Sequence, residues 1–398
     1  MGIKASIAIR TSLLISLMVS MTALSVRLHA DTGMCEGASV TLPFTDVPAA
    51  NVFFCSIAEA FFSGLTNGTS PTTYNPGNPV TREQMSAFIT RTMDRSLQRG
   101  SRRAALDQYW APTSPDGIAL TTVGGLPGLI KSDGADLWVT NLNTPTVSRV
   151  RASDGKLLET WTGASGATGV VAARGLIFVT GNSNPGSLYQ IDPTQPPGLV
   201  TTLAVSLGAF ATTISFDGAR IWTANAGGSV SIVTLSPLSV STVTTGFAAP
   251  SGILYDGANM WVTDAGTTPG KLFKLDANGG IIQTVTVGNL PRFPVFDGTN
   301  IWVPDQGTNA VTVVRASTGS ALATLTGNGL NGPTSVAFDG ERILITNQVG
   351  DSVSLWKATD LTPIGSISMG VGTQPFGVCS DGLNFWITLF NTGKLARF

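Results

Sequence analysis

A turn centred on glycine recurs at Gly134, Gly175, Gly218, Gly257, Gly298, Gly340 and Gly382, with spacings of 41, 43, 39, 41, 42 and 42 residues. An apolar-aromatic segment follows most of these turns, as in Leu137-Trp138-Val139-Thr140-Asn141, Ile221-Trp222-Thr223-Ala224-Asn225, Met260-Trp261-Val262-Thr263-Asp264 and Ile301-Trp302-Val303-Pro304-Asp305. A repeat of this length, made of short strands, cannot bury its own faces alone. Stacked with its neighbours it has the size of one four-stranded propeller blade.

Within a repeat, a first strand such as Thr334–Phe338 runs into an Asp-Gly turn. A second strand (Arg342–Thr346), a third (Ser352–Trp356) and a fourth (Gly365–Met369) follow. Asp-Gly and Thr-Gly supply the positive φ that tight hairpins need. Six repeats are complete, and the seventh begins near Gln374 and stops at Phe398 after three strands. Residues 117–123 look like a displaced fourth strand, since Thr122-Val123-Gly124-Gly125-Leu126-Pro127 matches Thr286-Val287-Gly288-Asn289-Leu290-Pro291. The expectation is that 117–123 pair with 393–398, closing a seven-bladed ring without open sheet edges.

Trp-Val-Thr-Asn at 138–141, Phe-Val-Thr-Gly at 178–181 and the looser Leu-Ile-Thr-Asn at 344–347 resemble the bacterial YVTN and NHL-type propellers across residues 117–398. That resemblance implies a fold and leaves function open, because such propellers host binding, enzymatic and structural roles. Trp138, Trp222, Trp261, Trp302 and Trp386 occupy one strand position and are expected to pack between blades. Asn141, Asn225, Asp264, Asp305 and Asn347 end that strand and should cluster on one face of the ring. There they either bind a sugar, a peptide terminus or a cation, or cap turns. Arg292, just before an inner strand, is a further candidate at the channel mouth. Asp276-Ala277-Asn278-Gly279 has loop-like spacing for calcium but lacks a full acidic series, so it is expected to be a hairpin turn and no cofactor is assigned.

The first thirty residues have the form of a secretory leader. Lys4 and Arg10 precede an apolar stretch from Leu13 to Val26, and Leu28-His29-Ala30 offers a small residue for cleavage. Cleavage there removes Lys4, Arg10 and Arg27 and no acids, leaving 20 basic against 24 acidic side chains. Nucleic-acid binding needs a basic stripe that this balance lacks, and the one basic run, Arg95 to Arg103, reads as a linker. The sole histidine, His29, lies in the leader. The expected mature chain therefore has no histidine for triad, general-base or metal-ligand chemistry. Of three cysteines, Cys35 and Cys55 either bridge in an oxidising compartment or stay free. Cys379, in an expected inner strand, reads as a small buried apolar side chain.

Between Phe44 and Arg95 the pattern turns helical. Phe54, Ile57 and Phe61 recur at helical spacing within 51–62. A second helix opens on a capping box, Thr81 with Gln84, and carries a stripe of Met85, Phe88, Ile89 and Met93. Phe44-Thr45-Asp46-Val47, Gly64-Leu65-Thr66-Asn67-Gly68, Tyr74-Asn75-Pro76 and Val80-Thr81-Arg82-Glu83-Gln84-Met85 together resemble an S-layer homology (SLH) motif. The resemblance implies attachment to wall polysaccharide through Thr81, Arg82 and Glu83. Arg82 at a helix N-terminus also suits an anionic polymer on general grounds. Wall-binding members commonly pack three such motifs and this chain has one, so either a homotrimer assembles the site or the motif is only a compact module.

The expected organisation is a leader (1–30), an SLH-like helical module (31–100), a linker (101–116) and a mainly β seven-bladed propeller (117–398). The functional expectation is an exported, envelope-associated, non-catalytic binding protein whose partner is a wall polysaccharide or a surface protein. The alternatives are a propeller enzyme, of lyase or hydrolase type, and a structural surface-layer component.

Overall fold

The computed structural model describes residues 31–35, 38–62, 66–99 and 119–398. The expected leader, the linker, and Gly64 and Leu65 of the helical motif lie outside these residues. The chain divides into two compact units, residues 1–95 and 96–398, taken separately below.

The larger unit is a ring of seven four-stranded antiparallel sheets. Blade 1 holds Pro127–Ser132, Asp136–Asn141, Thr146–Arg151 and Leu157–Thr162 from the axis outward, and the later blades repeat this order. The second strand of each blade is the most buried, as Asp136–Asn141 shows along its whole length. A strand covered on both faces must satisfy its polar side chains inside the protein.

The repeated Trp-Val-Thr-Asn word does this through three separate bonds. Its tryptophan is fully buried, and the indole Nε1–H donates to the carboxylate of the preceding Asp-Gly turn. The pairs are Trp138–Asp133 at 2.8 Å, and Trp222–Asp217, Trp261–Asp256, Trp302–Asp297 and Trp386–Asp381, each at 2.7 Å. The other carboxylate oxygen accepts two backbone N–H groups of the turn, as Asp256 does from Ala258 and Asn259. Burial alone would raise the Asp133 and Asp217 carboxyls, but these donors outweigh it and hold both below the usual range. Blade 2 lacks both residue types: its Arg174-Gly175 turn has no aspartate, and Phe178 stands where the tryptophan would be. In blade 6 Leu344 replaces the tryptophan, and Asp339 pairs with Arg342 at 2.7 Å.

The threonine of the word ties each blade to the next. Thr140 donates to the Thr168 carbonyl at 2.8 Å, Thr263 to that of Arg292 at 2.7 Å and Thr346 to that of Phe376 at 2.7 Å. Thr388 donates to the Gly128 carbonyl at 2.8 Å and so links the last blade to the first. Where Ala224 replaces this threonine, Thr213 reaches the Ser251 carbonyl instead. Where Pro304 does, the Phe293 N–H bonds to Thr334 O at 3.1 Å.

The ring closes as the sequence implies. Ala119–Thr122 is the fourth strand of the blade formed by Pro375–Ser380, Phe385–Leu389 and Lys394–Arg397, with Leu120 opposite Ala396. Val123 N–H bonds to Gly393 O at 2.9 Å, and Leu120 packs on the apolar cluster between blades 6 and 7.

In the smaller unit a hairpin, Thr32–Cys35 with Ala38–Thr41, is joined by the Cys35–Cys55 disulfide to helix α1, Phe54–Phe62. The helix begins three residues later than the periodicity suggests, because Asn51 Oδ1 accepts the Phe53 N–H in a turn. Leu42, Phe44, Val47, Phe54 and Ile57 form the core. Asp46 explains why two motif blocks travel together: its carboxylate accepts the N–H groups of Tyr74 at 2.8 Å and Asn75 at 2.6 Å. The capping box of helix α2, Arg82–Arg99, forms in both directions, Thr81 N–H to Gln84 Oε1 at 2.9 Å and Gln84 N–H to Thr81 Oγ1 at 3.2 Å. Of the expected stripe, Met85 and Ile89 are exposed. No helix among the described residues is long and apolar enough to cross a membrane.

Closure can be tested without removing core side chains. The alternation that gives the Val123 N–H to Gly393 also places the Thr121 N–H in the ladder opposite Leu395. Thr121→Pro should therefore lower stability by roughly 1–3 kcal/mol through a lost ladder bond. An unchanged melting temperature would mean that this strand does not close the ring.

Candidate functional site

The seven inner strands surround a narrow channel of ≈ 50 Å³. Glycine keeps it narrow: a Cβ on Gly377 would lie 2.4 Å from the Gly128 carbonyl oxygen, and one on Gly169 2.8 Å from that of Thr212. The lining includes Leu129, Thr213, Phe293 and Ser335, and its one charged side chain is Lys131. It holds no carboxylate and no histidine.

The expected circle of Asn141, Asn225, Asp264, Asp305 and Asn347 exists, but it faces inward. All five are buried, at 0–2% exposure, and Asn141, Asp264 and Asn347 accept N–H groups of the loop that leads into their own blade. Asn141 Oδ1 accepts the Gly124 N–H at 3.1 Å, while its Nδ2 donates to Thr146 and Ser148. Asn225 donates to Ser229 and Ser231, and Asn347 to Ser352 and Ser354. Asp264 accepts the N–H groups of Ala248, Ala249 and Gly266 at 2.8–3.0 Å. Of the two roles the sequence left open, this geometry is that of turn caps, with the polar atoms turned away from solvent. Asp305 differs from the rest. Thr312 donates to one oxygen at 2.6 Å, the other has no hydrogen-bond partner, and burial pushes the carboxyl up to about 6.

Arg292 adjoins Phe293 of the channel lining, ahead of the short inner strand Val295–Phe296. Its carbonyl is held by Thr263 and its N–H by Pro304 O. Its Nε donates to Gln306 Oε1 at 2.7 Å, and Gln306 Nε2 donates in turn to Gln348 Oε1 at 3.2 Å and Thr334 Oγ1 at 3.3 Å. Burial lowers the Arg292 guanidinium from its usual value, and no carboxylate among the described residues offsets this. Beside it Phe293 meets Phe376 edge to face with ring centroids 5.6 Å apart, and Phe376 meets Phe390 at 5.3 Å.

Gln306, Gln348, Phe376 and Phe390 were not picked out from the sequence. Three of them occupy the column just after the buried cap, where the other blades carry Leu142, Asn182, Ala226 and Ala265. Aligning repeats column by column would have shown that blades 5 to 7 depart from the rest there. Lys131, also missed, lies three residues further along its inner strand than Gly128, the blade 1 counterpart of Arg292. That is about 10 Å along the channel. Water reaches Lys131, yet protein surrounds it, and desolvation lowers its ammonium. Neighbouring Cys379 is buried and its thiol is pushed up to about 12, which leaves it an unreactive packing group.

Asp276 forms the expected hairpin turn, with Oδ1 accepting the N–H groups of Asn278 at 2.8 Å and Gly280 at 2.9 Å. Among the described residues no three His, Cys, Asp or Glu side chains gather as a metal site. In the helical unit, Thr81, Arg82 and Glu83 are all exposed. Glu83 borders an open cleft of ≈ 830 Å³ floored by Tyr74, Pro76 and Phe88, while Thr81 and Arg82 lie outside its lining.

No protein-family model and no curated protein matches the chain. Solved structures do. Kuenenia stuttgartiensis hydrazine synthase aligns with TM-score 0.59 and 16% identity over 69% of this chain and 95% of that one. A catalytically inactive histidine-to-alanine variant of virginiamycin B lyase from Staphylococcus aureus, with quinupristin, aligns with TM-score 0.59 and 15% identity over 70% and 98%. The WD40 β-propeller domain of Doa1 aligns with TM-score 0.58 and 14% identity over 71% and 97%. At these identities the likeness establishes a β-propeller and no activity.

Asp305 yields a pH-dependent prediction. Its folded-state value of about 6 exceeds an ordinary 3.8, so its contribution to stability is full below pH 4 and is lost as pH rises through 6. By pH 8 that loss is about 3 kcal/mol. Asp305→Asn should raise the melting temperature at pH 8, because an amide can donate to Thr312 as the other caps donate to their serines. The gain should vanish towards pH 4. A pH-independent difference, or a loss at pH 8, would refute the assignment.

Proposed function

We propose that this chain is an exported, envelope-associated binding protein, with the helical unit attaching to wall polysaccharide and the propeller offering its loop face to a ligand or partner. The observation that carries the reading is the channel. Its wall lacks a carboxylate or histidine for acid–base work, while its loop-side mouth presents a partly buried cation without a counter-ion. A lyase reading has less support. The Staphylococcus aureus lyase is inactive in a histidine-to-alanine variant, and the one histidine of this chain, His29, lies in the leader-like first thirty residues.

Support for the anchoring half comes from the SLH-like segment, whose capping box and Asp46 clamp join its motif blocks into one module. The leader-like first thirty residues support export. The exposed Met85 and Ile89 of helix α2 supply apolar surface for a homotrimer, which would bring three copies of the motif together.

Co-sedimentation of the full chain with purified wall fragments tests this. The parent should pellet with the fragments. Arg82→Glu should weaken retention by about tenfold or more, the scale of one charge-assisted contact, while Arg292→Gln leaves it unchanged. If the parent stays in the supernatant, or Arg82→Glu pellets like the parent, anchoring through this segment is wrong.

A further inference from the structure

We propose that the loop-side mouth of the channel, across blades 5 to 7, binds a monocarboxylate attached to an aromatic or branched apolar group. This rests on the binding reading above and names the ligand class for that site. Three observations converge on it.

The first is the uncommitted donors. Arg292 spends only Nε on Gln306, so its Nη1 and Nη2 groups make no hydrogen bond to a described residue. Gln348 accepts through Oε1 and leaves its Nε2 donor free. A guanidinium with both Nη groups unspent presents the planar fork that matches a carboxylate. Holding Nε on Gln306 fixes the plane of that fork before any ligand arrives, which reduces the ordering cost of binding.

The second is charge. No carboxylate among the described residues pairs with Arg292, so its guanidinium is an uncompensated cation there, and Lys131 adds another deeper in the channel. A low-dielectric funnel with no acidic lining concentrates a positive potential although the chain as a whole is acidic. One fork at the mouth suits a singly charged head group better than a dianion.

The third is the apolar setting. Phe293, Phe376 and Phe390 form a contiguous aromatic patch beginning at the residue next to Arg292. Thr346 holds the Phe376 backbone just as Thr263 holds that of Arg292, so both sides of the site have their backbones fixed by the neighbouring blade. Around the rim, Phe210 and Leu290 are exposed apolar side chains at φ 60° and 49°. Blades 2 and 6 use Gly166 and Gly332 at this lead-in position, where a positive φ costs nothing. Leu126 and Gln374 take the same positive φ in blades 1 and 7, so the conformation belongs to the lead-in turn, and at Leu290 it turns an apolar side chain outward beside Arg292.

Isothermal titration of the full chain decides the proposal. The probes are 3-phenylpropionate and the peptide Ala-Ala-Phe, the latter with a free or an amidated C-terminus. The free acids should bind, and the amide should bind at least about tenfold more weakly. Whichever acid binds more tightly separates a small aryl acid from a peptide terminus as the source. Arg292→Gln should abolish the preference for acid over amide, Arg292→Lys should retain part of it, and Phe376→Ala should weaken both acids. Should Arg292→Gln fail to melt like the parent, Arg292→Lys and Gln348→Ala carry the test. Equal affinity for acid and amide overturns the proposal, as does an Arg292→Gln variant that binds like the parent. Absence of heat with any probe up to about 10 mM also overturns it. In that last case wall co-sedimentation of the same preparation separates the readings: retention removes only the ligand class, and its loss removes the binding role as well.

Discussion

In a strand buried on both faces an unsatisfied indole N–H, threonine hydroxyl or terminal amide is costly, and the structure of this ring follows from where those groups are sent. An unpaired buried donor costs about 1–3 kcal/mol. On the second strands five tryptophans carry that risk, and each is met by the aspartate of its own turn; the third-strand Trp356 is buried with no partner for its indole N–H among the described residues. One carboxylate thereby shapes the turn and anchors the ring that fills the gap between blades. The threonine works outward to the next blade, and the asparagine or aspartate works upward to the loop. Local turn, inter-blade spacing and loop position are therefore set by four residue types in every repeat that keeps them.

The candidate site lies where that pattern is broken. In blade 5 Pro304 replaces the threonine, and Pro294 removes an N–H from an inner strand that shrinks to Val295–Phe296. Gln306 and Gln348 stand where most other blades have small or apolar residues, and Phe376 and Phe390 fill the corresponding columns of blade 7. A regular ring gives every blade the same bonds, so function has to come from positions that depart from the repeat. In the column just after the buried cap, the departures fall in three consecutive blades, at Gln306, Gln348 and Phe390. The intact threonines of blades 4 and 6 hold the backbones of Arg292 and Phe376, so the regular part of the pattern supports the irregular part.

How much of this could be read beforehand depended on range. The Asp-Gly turns and the period are local, and seven blades with closure by residues near 119–122 followed from counting strands. The capping box and the helical periodicity were legible for the same reason. The partner of each polar group was not, since Thr263 bonds to a residue 29 positions away and Thr388 to one 260 positions away. Strand alternation said that Asn141 and its counterparts end a strand. Whether they face the channel or the loop depends on the return path of the previous blade, which a single repeat does not encode. Arg292 was visible because it is charged among uncharged neighbours. The glutamines and phenylalanines around it stand out only when repeats are compared column by column.

The most direct test is hydrogen exchange of the tryptophan indole N–H groups, followed by NMR in the intact protein. Fully buried and bonded to their turn aspartates, the Nε1–H groups of Trp138, Trp222, Trp261, Trp302 and Trp386 should exchange together and only through global unfolding. Trp161, whose indole bonds at 3.3 Å to the partly exposed Glu159, should exchange sooner. Exchange of the five at the rate of Trp161 while the ring remains folded would contradict the claim that these anchors hold it.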